Sequence, residues 1–232
     1  MTLPLGRNPA CSAEKSGRAG APGTATRQPP IAAPATVVGA TPFGIPAVAA
    51  LVARSPAGQT WAHLLAMGGD RGEIMLRGLC RILVKHALGH GHVDLLPPYG
   101  AAVWLDRTIA LPEPPGLARL LAIAGEPSAT AIRDRLSGHR PHGPYLHLIA
   151  LATGSISDAV ALLEHRHRRL DRAGVAAYAV ANTDTELAAL TAAGYQPGDP
   201  RWLLDGVPAW PMRRPPTGRR SSPHRCWPPE IS

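Results

Sequence analysis

Two eight-residue runs, Tyr145–Ala152 and Val175–Asn182, carry almost no polar side chain apart from His147 and the terminal Asn182. A strand that is apolar at consecutive rather than alternate positions has both faces covered, so each run reads as a central, fully buried strand. Between them, Ser155–Arg172 has helical spacing and ends at Ala173-Gly174. The chain must therefore build layers of helix on both sides of a sheet.

The rest of the body fits that plan. A β-branched run at Ala35–Thr41 predicts a first strand, and Gly44–Arg54 a helix with Ile45, Val48, Ala49, Leu51 and Val52 on one side. Ser55-Pro56 starts a second helix carrying Trp61, Leu64 and Leu65. Glu73–Leu88 is the clearest helix, with Gly89 and Gly91 expected to stop it. His92–Leu96 and Gly100–Leu105 predict strands joined around Pro97-Pro98, and Gly116–Ala124 and Ser128–Leu136 two short helices. Asp184–Ala193 predicts a helix closed by Gly194, followed by extended segments over Tyr195–Trp202 and Val207–Arg213. The expected fold is α/β around a mixed sheet.

Of the formal charge of +8, +3 lies in residues 1–34 and +4 in 213–232, which leaves +1 for everything between. The basic character belongs to the ends. Segments such as Arg18–Arg27 and Pro215–Pro223 lack large apolar groups and cannot offset the entropy of ordering, so 1–34 and 214–232 read as disordered tails around a body at 35–213. A nucleic-acid partner is disfavoured, with a salt-dependent tether through the arginine-rich tails as the remaining version of that idea. The three cysteines, Cys11, Cys80 and Cys226, have neither disulfide nor metal spacing. No basic leader or membrane-length apolar stretch is present, and a cytoplasmic protein is expected.

The segments Tyr145–Leu151, Ala161–Val175, Ala177–Asn182, Ala193–Tyr195 and Leu204–Arg213 resemble the second half of a GNAT-type N-acetyltransferase, closest in character to the actinobacterial, puromycin-acetyltransferase-like members. The resemblance extends more weakly over 35–213. It implies a mostly antiparallel central sheet with two splayed parallel strands in the middle, flanked by helices. It also implies acetyl-CoA as co-substrate, no metal, a small amine as acceptor, and a monomer or homodimer. Backbone groups of Ile149, Ala150 and Leu151 would then pair with the pantetheine arm. The loop Thr153, Gly154, Ser155, Ile156 and Ser157 would meet the pyrophosphate, with Asn182 close by.

Two departures from the family pattern stand out. The loop is about two residues short, keeps only Gly154 and has no Arg or Gln, while Ser155 and Asp158 form a helix-capping pattern. Leu190 stands where the family has a tyrosine acid. His147 is the one ionisable side chain inside the central strand and the candidate base; the other reading is a strand histidine bonded to a neighbour. The alternative to an enzyme is a catalytically impaired scaffold or binding module.

Other polar groups have plainer readings. His86, His90 and His92 read as a solvent-facing group at a helix end rather than a metal site, and His165–Arg169 as cations favoured near a helix C-terminus. Tyr195 reads as a packing residue. Trp202 and Trp210 read as covers for one end of the sheet.

Overall fold

The computed structural model describes residues 36–137, 141, 143–202 and 206–218. The expected tail at 1–34, and that at 214–232 beyond Gly218, lie outside the described residues. The chain divides into residues 1–33 and 34–232, and every described element belongs to the second part.

Strand β1 (Val38–Gly39) leads through a 3-10 turn at Pro42–Gly44 into helices α1 (Ile45–Arg54), α2 (Pro56–Leu65) and α3 (Gly69–His90). Strands β2 (Gly91–Leu96) and β3 (Gly100–Asp106) follow, then α4 (Leu117–Ala124), α5 (Glu126–Ser137), β4 (Tyr145–Ala152), α6 (Ile156–Ala173) and β5 (Ala176–Ala181). Helix α7 (Asp184–Ala192) and strands β6 (Gln196–Pro197), β7 (Arg201–Trp202) and β8 (Pro208–Arg214) complete it. The sheet runs β1-β2-β3-β4-β5-β8-β6, with β7 beside β8. Every pairing is antiparallel except β4 with β5. That lone parallel pair needs a long crossover, which α6 supplies.

One face of the sheet packs on α1 to α5 through Trp61, Leu79, Leu121 and Ile132. The other packs on α6 and α7 through Leu162, Leu163 and Leu190. All eight residues of β4 are buried, as a doubly covered strand requires. Among the described residues, no helix is long and apolar enough to cross a membrane.

Local signals set the helix ends. Ser55 accepts from Gly58 N at 3.2 Å to cap α2. Gly174, at φ +66°, ends α6 in a Schellman motif: Val175 N donates to Leu170 O and Gly174 N to Asp171 O. Helix α3 differs from expectation, because Gly89 lies within it and only Gly91 ends it. A Cβ on Gly91 would fall 2.0 Å from Trp104 O, so the tight entry into β2 requires glycine.

Several polar and charged residues expected at helix ends or in the tail are buried. His86 is 5% exposed and packs against His90, at 4.7 Å between ring centroids. Arg166 forms a bidentate pair with Asp94 of β2, at 2.9 and 2.5 Å. His167 contacts the Tyr195 hydroxyl at 3.1 Å, and burial holds its pKa down at about 3. Arg214, expected in the tail, is the last residue of β8 and is buried. Trp202 is 74% exposed, at odds with a covering role, whereas Trp210 packs on the α6/α7 core.

Asp171, in the last turn of α6, accepts from both terminal nitrogens of Arg214 at 2.8 Å. It also accepts from Thr217 N at 2.8 Å and Thr217 Oγ1 at 2.6 Å. The hydrogen bond from Arg214 first, and those from Thr217 after it, hold this carboxyl below the usual carboxylate range against the opposing effect of burial.

Arg166→Leu leaves Asp94 charged and buried without a partner, and should cost about 3–5 kcal/mol in urea unfolding. Asp171→Asn should cost roughly 2 kcal/mol at neutral pH. A depressed folded-state pKa gives stability that is full above the ordinary value of about 4 and is lost as pH falls toward the folded one. Calorimetric scans should therefore show wild type and Asp171→Asn converging in acid.

Candidate functional site

The central strands part at one residue. Strand β4 pairs with β5 from Tyr145↔Ala176 to Leu148↔Ala179 and no further. Past that point β4 continues along β3, and β5 along β8. The register between β3 and β4 slips at the same place, with Val103 opposite Ala150 but Trp104 opposite Leu148. Ile149 is the extra residue of a β-bulge.

The packing records the slip. Leu146 and Leu148 face the α6/α7 core, Ile149 and Ala150 both face the opposite core, and Leu151 returns to the first. The bulge bends β4 away from β5 and opens a wedge toward the C-terminal ends of the two strands.

At the open end lies a cavity of about 260 Å³, lined by Pro56, Leu151, the loop Thr153–Ile156, and Thr185, Glu186 and Ala189 of α7. The structure thus brings together Leu151, Thr153, Gly154, Ser155 and Ile156. A Cβ on Gly154 would meet nothing within 4 Å, so open space adjoins the loop there. The wedge itself narrows to about 10 Å³ between Leu148–Leu151 and Ala179–Val180, where Ile149 and Ala150 lie.

The loop is shaped by its own cap. Ser155 Oγ accepts from Asp158 N at 3.1 Å, donates to Asp158 Oδ2 at 2.8 Å, and lies 2.9 Å from Ser157 Oγ. Ser157 does not line the cavity.

The wedge is filled by Arg135 and Glu186, which were not singled out from the sequence, around Asn182, which was. Arg135 of α5 reaches into it, stacks 4.7 Å above the Trp61 ring centroid and donates to Asn182 Oδ1. Its Nε has no partner among the described residues. Asn182 donates from Nδ2 to Pro208 O at 2.7 Å, and from its backbone N to Glu186 Oε2 at 2.8 Å. Thr183 caps α7 by accepting from Glu186 N at 3.1 Å, and Glu186 reaches back to the backbone N–H groups ahead of it, a capping box.

Burial raises the Glu186 pKa, opposed by the Arg135 charge and the N–H groups of Asn182 and Thr183. Burial likewise pulls Arg135 below the usual arginine range, with the Glu186 carboxylate opposing it; a guanidinium stays protonated all the same. The sequence signal for this pair was Thr183-x-x-Glu186, a capping box one residue after a buried strand.

His147 lies in the paired half of β4, opposite Leu105 and Tyr178. It is 4% exposed, and the rings of Tyr178 and Tyr145 stand 5.1 and 6.4 Å from its own. The space it borders has no room for a water molecule. Leu190 is buried in the α6/α7 core and also edges the narrow wedge. Among the described residues, no group of three or more His, Cys, Asp or Glu could hold a metal ion.

The donor set bears on acetyl-CoA. Apolar walls from Leu151, Ile156 and Ala189 suit an acyl-pantetheine arm, and hydroxyls of Thr153, Ser155 and Thr185 offer polar contacts. Among the described residues no Arg or Lys lines the cavity, so the phosphates would rely on hydroxyls and backbone N–H groups at the start of α6. The residues fit the acyl-pantetheine portion.

No protein-family model and no curated protein matches the chain. Solved structures do. A histone acetyltransferase HPA2 and related acetyltransferase from Corynebacterium glutamicum aligns at TM-score 0.59 and 22% identity, over 81% of this chain and 99% of that one. An insect protein from the yellow fever mosquito, described as arylalkylamine N-acetyltransferase 7, aligns at 0.54 and 12%, over 77% and 86%. The C-terminal condensation domain of Ebony, in complex with beta-alanyl-dopamine, aligns at 0.50 and 10%, over 78% and 98%. The described body has the GNAT acetyltransferase fold.

Arg135→Met should cost about 3–5 kcal/mol at neutral pH, because it strands Glu186 as a buried charge. A carboxyl whose folded-state pKa lies above its ordinary value loses stability as pH rises through that window. The variant's melting temperature should therefore fall more steeply than wild type's between about pH 5 and 8, as differential scanning calorimetry can check.

Proposed function

We propose that this chain is a cytoplasmic N-acyltransferase of puromycin-acetyltransferase-like character, moving an acetyl group from acetyl-CoA to a small amine. One observation carries the reading: the parting of β4 from β5 at the Ile149 bulge, beside a cavity on the Thr153–Ile156 loop. Backbone groups of Ile149, Ala150 and Leu151 would hold the pantetheine arm. Thr153, Gly154, Ser155, Ile156 and Ser157 would hold the phosphate end, with Asn182, bonded to Arg135, close by. When bound, acetyl-CoA supplies an acyl group activated as a thioester.

This chain's residues bind, orient and exclude water. The apolar walls lower the local dielectric and strengthen each polar contact at the reacting carbonyl. Leu190 offers no proton, which removes a contribution of about 10²–10⁴-fold that a side-chain acid can make. The neighbours lend support for an amine acceptor. Two are named for acetyl transfer, one of these for arylalkylamines, and the third holds beta-alanyl-dopamine.

A second reading, a binding module without turnover, is favoured by the guanidinium of Arg135 in the wedge and by the lack of a cation along the cavity. Titration calorimetry with acetyl-CoA separates the two. Micromolar affinity supports the transferase, and no heat at millimolar ligand supports the module. Gly154→Phe fills the open space beside the loop. It should weaken acetyl-CoA binding at least about tenfold, equivalent to about 1.4 kcal/mol, with an unchanged melting temperature.

A further inference from the structure

Two residues, Leu151 and Glu186, line both the outer cavity and the narrow wedge behind it. Glu186 therefore stands at the neck where one passes into the other. Among the described residues, its carboxylate is the only ionisable side chain along the outer cavity, whose other polar side chains are the hydroxyls of Thr153, Ser155 and Thr185. Such a lining attracts a cation. The next charge inward is Arg135, set behind the carboxylate and fixed by Asn182 and Trp61.

We propose that Glu186 receives the ammonium group of the acceptor amine at this neck and takes the proton that the attacking nitrogen must lose. This deepens the acyltransferase reading and rests on it. A primary alkylamine has a pKa near that of lysine, about 10.4, and is almost wholly protonated at neutral pH. Acyl transfer forms one C–N bond, breaks one C–S bond and moves one proton from nitrogen to sulfur. An ammonium gives up a second proton as well. Glu186 first takes one from the bound ammonium, which frees the nitrogen lone pair, and releases it to water. It then takes the next from the tetrahedral adduct and hands it to the departing thiolate, so amide, thiol and one released proton balance and the carboxylate is regenerated.

The chain provides for both states of the group. Burial favours the protonated form, while Arg135 from α5 and the N–H groups of Asn182 and Thr183 favour the carboxylate. Beyond Arg135, the titratable group next in line is Tyr178 of β5, whose own pKa burial raises to about 12. His147, the other base weighed for this reaction, is enclosed by Tyr145 and Tyr178 on the paired side of the bulge.

The test is Glu186→Gln, whose amide oxygen can still accept from the N–H groups of the capping box, with Glu186→Asp as the conservative variant. Thiol release is followed from acetyl-CoA with a series of primary amines from ethanolamine to tryptamine. Glu186→Gln should lower kcat/KM at pH 7 by about 100-fold or more. Its acetyl-CoA affinity should stay within about threefold, while Glu186→Asp restores part of the rate. The melting temperature of Glu186→Gln should fall, because Arg135 loses the carboxylate facing it, so all rates are compared below the unfolding transition. The deficit should shrink as pH rises toward the amine's own pKa, where solvent supplies neutral amine, a trend that a purely structural role does not produce. A pH-independent deficit, or none, overturns the proposal.

A second arm needs no turnover. Calorimetry without acetyl-CoA should show wild type binding the primary amines over the matching alcohols, and Glu186→Gln losing that preference. If wild type neither binds nor turns over acetyl-CoA, the transferase reading fails, and this arm still decides the ammonium site. Equal binding of amine and alcohol, or a preference that survives Glu186→Gln, overturns it.

Discussion

One surplus residue in β4 governs the architecture of the site. Strand β3 alternates without interruption, Leu105, Val103 and Ala101 to one core, Trp104 and Ala102 to the other. Strand β4 cannot keep step with it, because Ile149 has no partner. A strand with one residue too many must bend and twist more strongly. The bend falls where the parallel ladder with β5 ends, so one local irregularity ends a set of hydrogen bonds and creates a wedge in the middle of a sheet. Exposed backbone groups in a sheet interior are costly unless something pairs with them, which makes such a wedge a natural place for an extended ligand.

What occupies the inner wedge here is protein. A guanidinium stacked on an indole, bonded to an amide and facing a carboxylate is an expensive arrangement to bury, and its net contribution to stability is small. Each member has a geometric duty nonetheless. Asn182 ties the end of β5 to both Arg135 and Pro208, so α5, β5 and β8 meet at one amide. Glu186 joins that group from the first turn of α7. The helix on one side of the sheet and the helix on the other are thus linked through the opening between two strands.

How much of this could be read from the sequence depended on the range of the interaction. The two apolar runs, the Ser55 and Ser155 caps and the Gly174 stop are signals written within a few residues, and they appear where expected. The bulge left no trace, because Leu148 to Ala152 are all apolar and a one-residue slip there alters no pattern of polar and apolar positions. Arg166 and His167 looked like ordinary cations near a helix end, since Asp94 lies 72 residues away and Tyr195 lies 28. Arg135 sits in a charged stretch beside Asp134, and its amide partner is 47 residues on. The loop that could line a cavity was legible; the charges that give the cavity its character were not.

Strand β8 holds a position whose importance grows from its neighbours. It is the sole described link from β5 outward, since both β6 and β7 hang from it. Its final residue is clasped to α6 by Asp171, which also gathers in Thr217 beyond the strand. The crossover helix that sets β4 and β5 parallel is therefore fastened, at its far end, to the strand lying on β5's other side. Trimming the polypeptide just upstream of Arg214 would release that clasp and leave a sheet edge free to fray toward the opening, whereas a tag joined downstream of Thr217 would leave it shut.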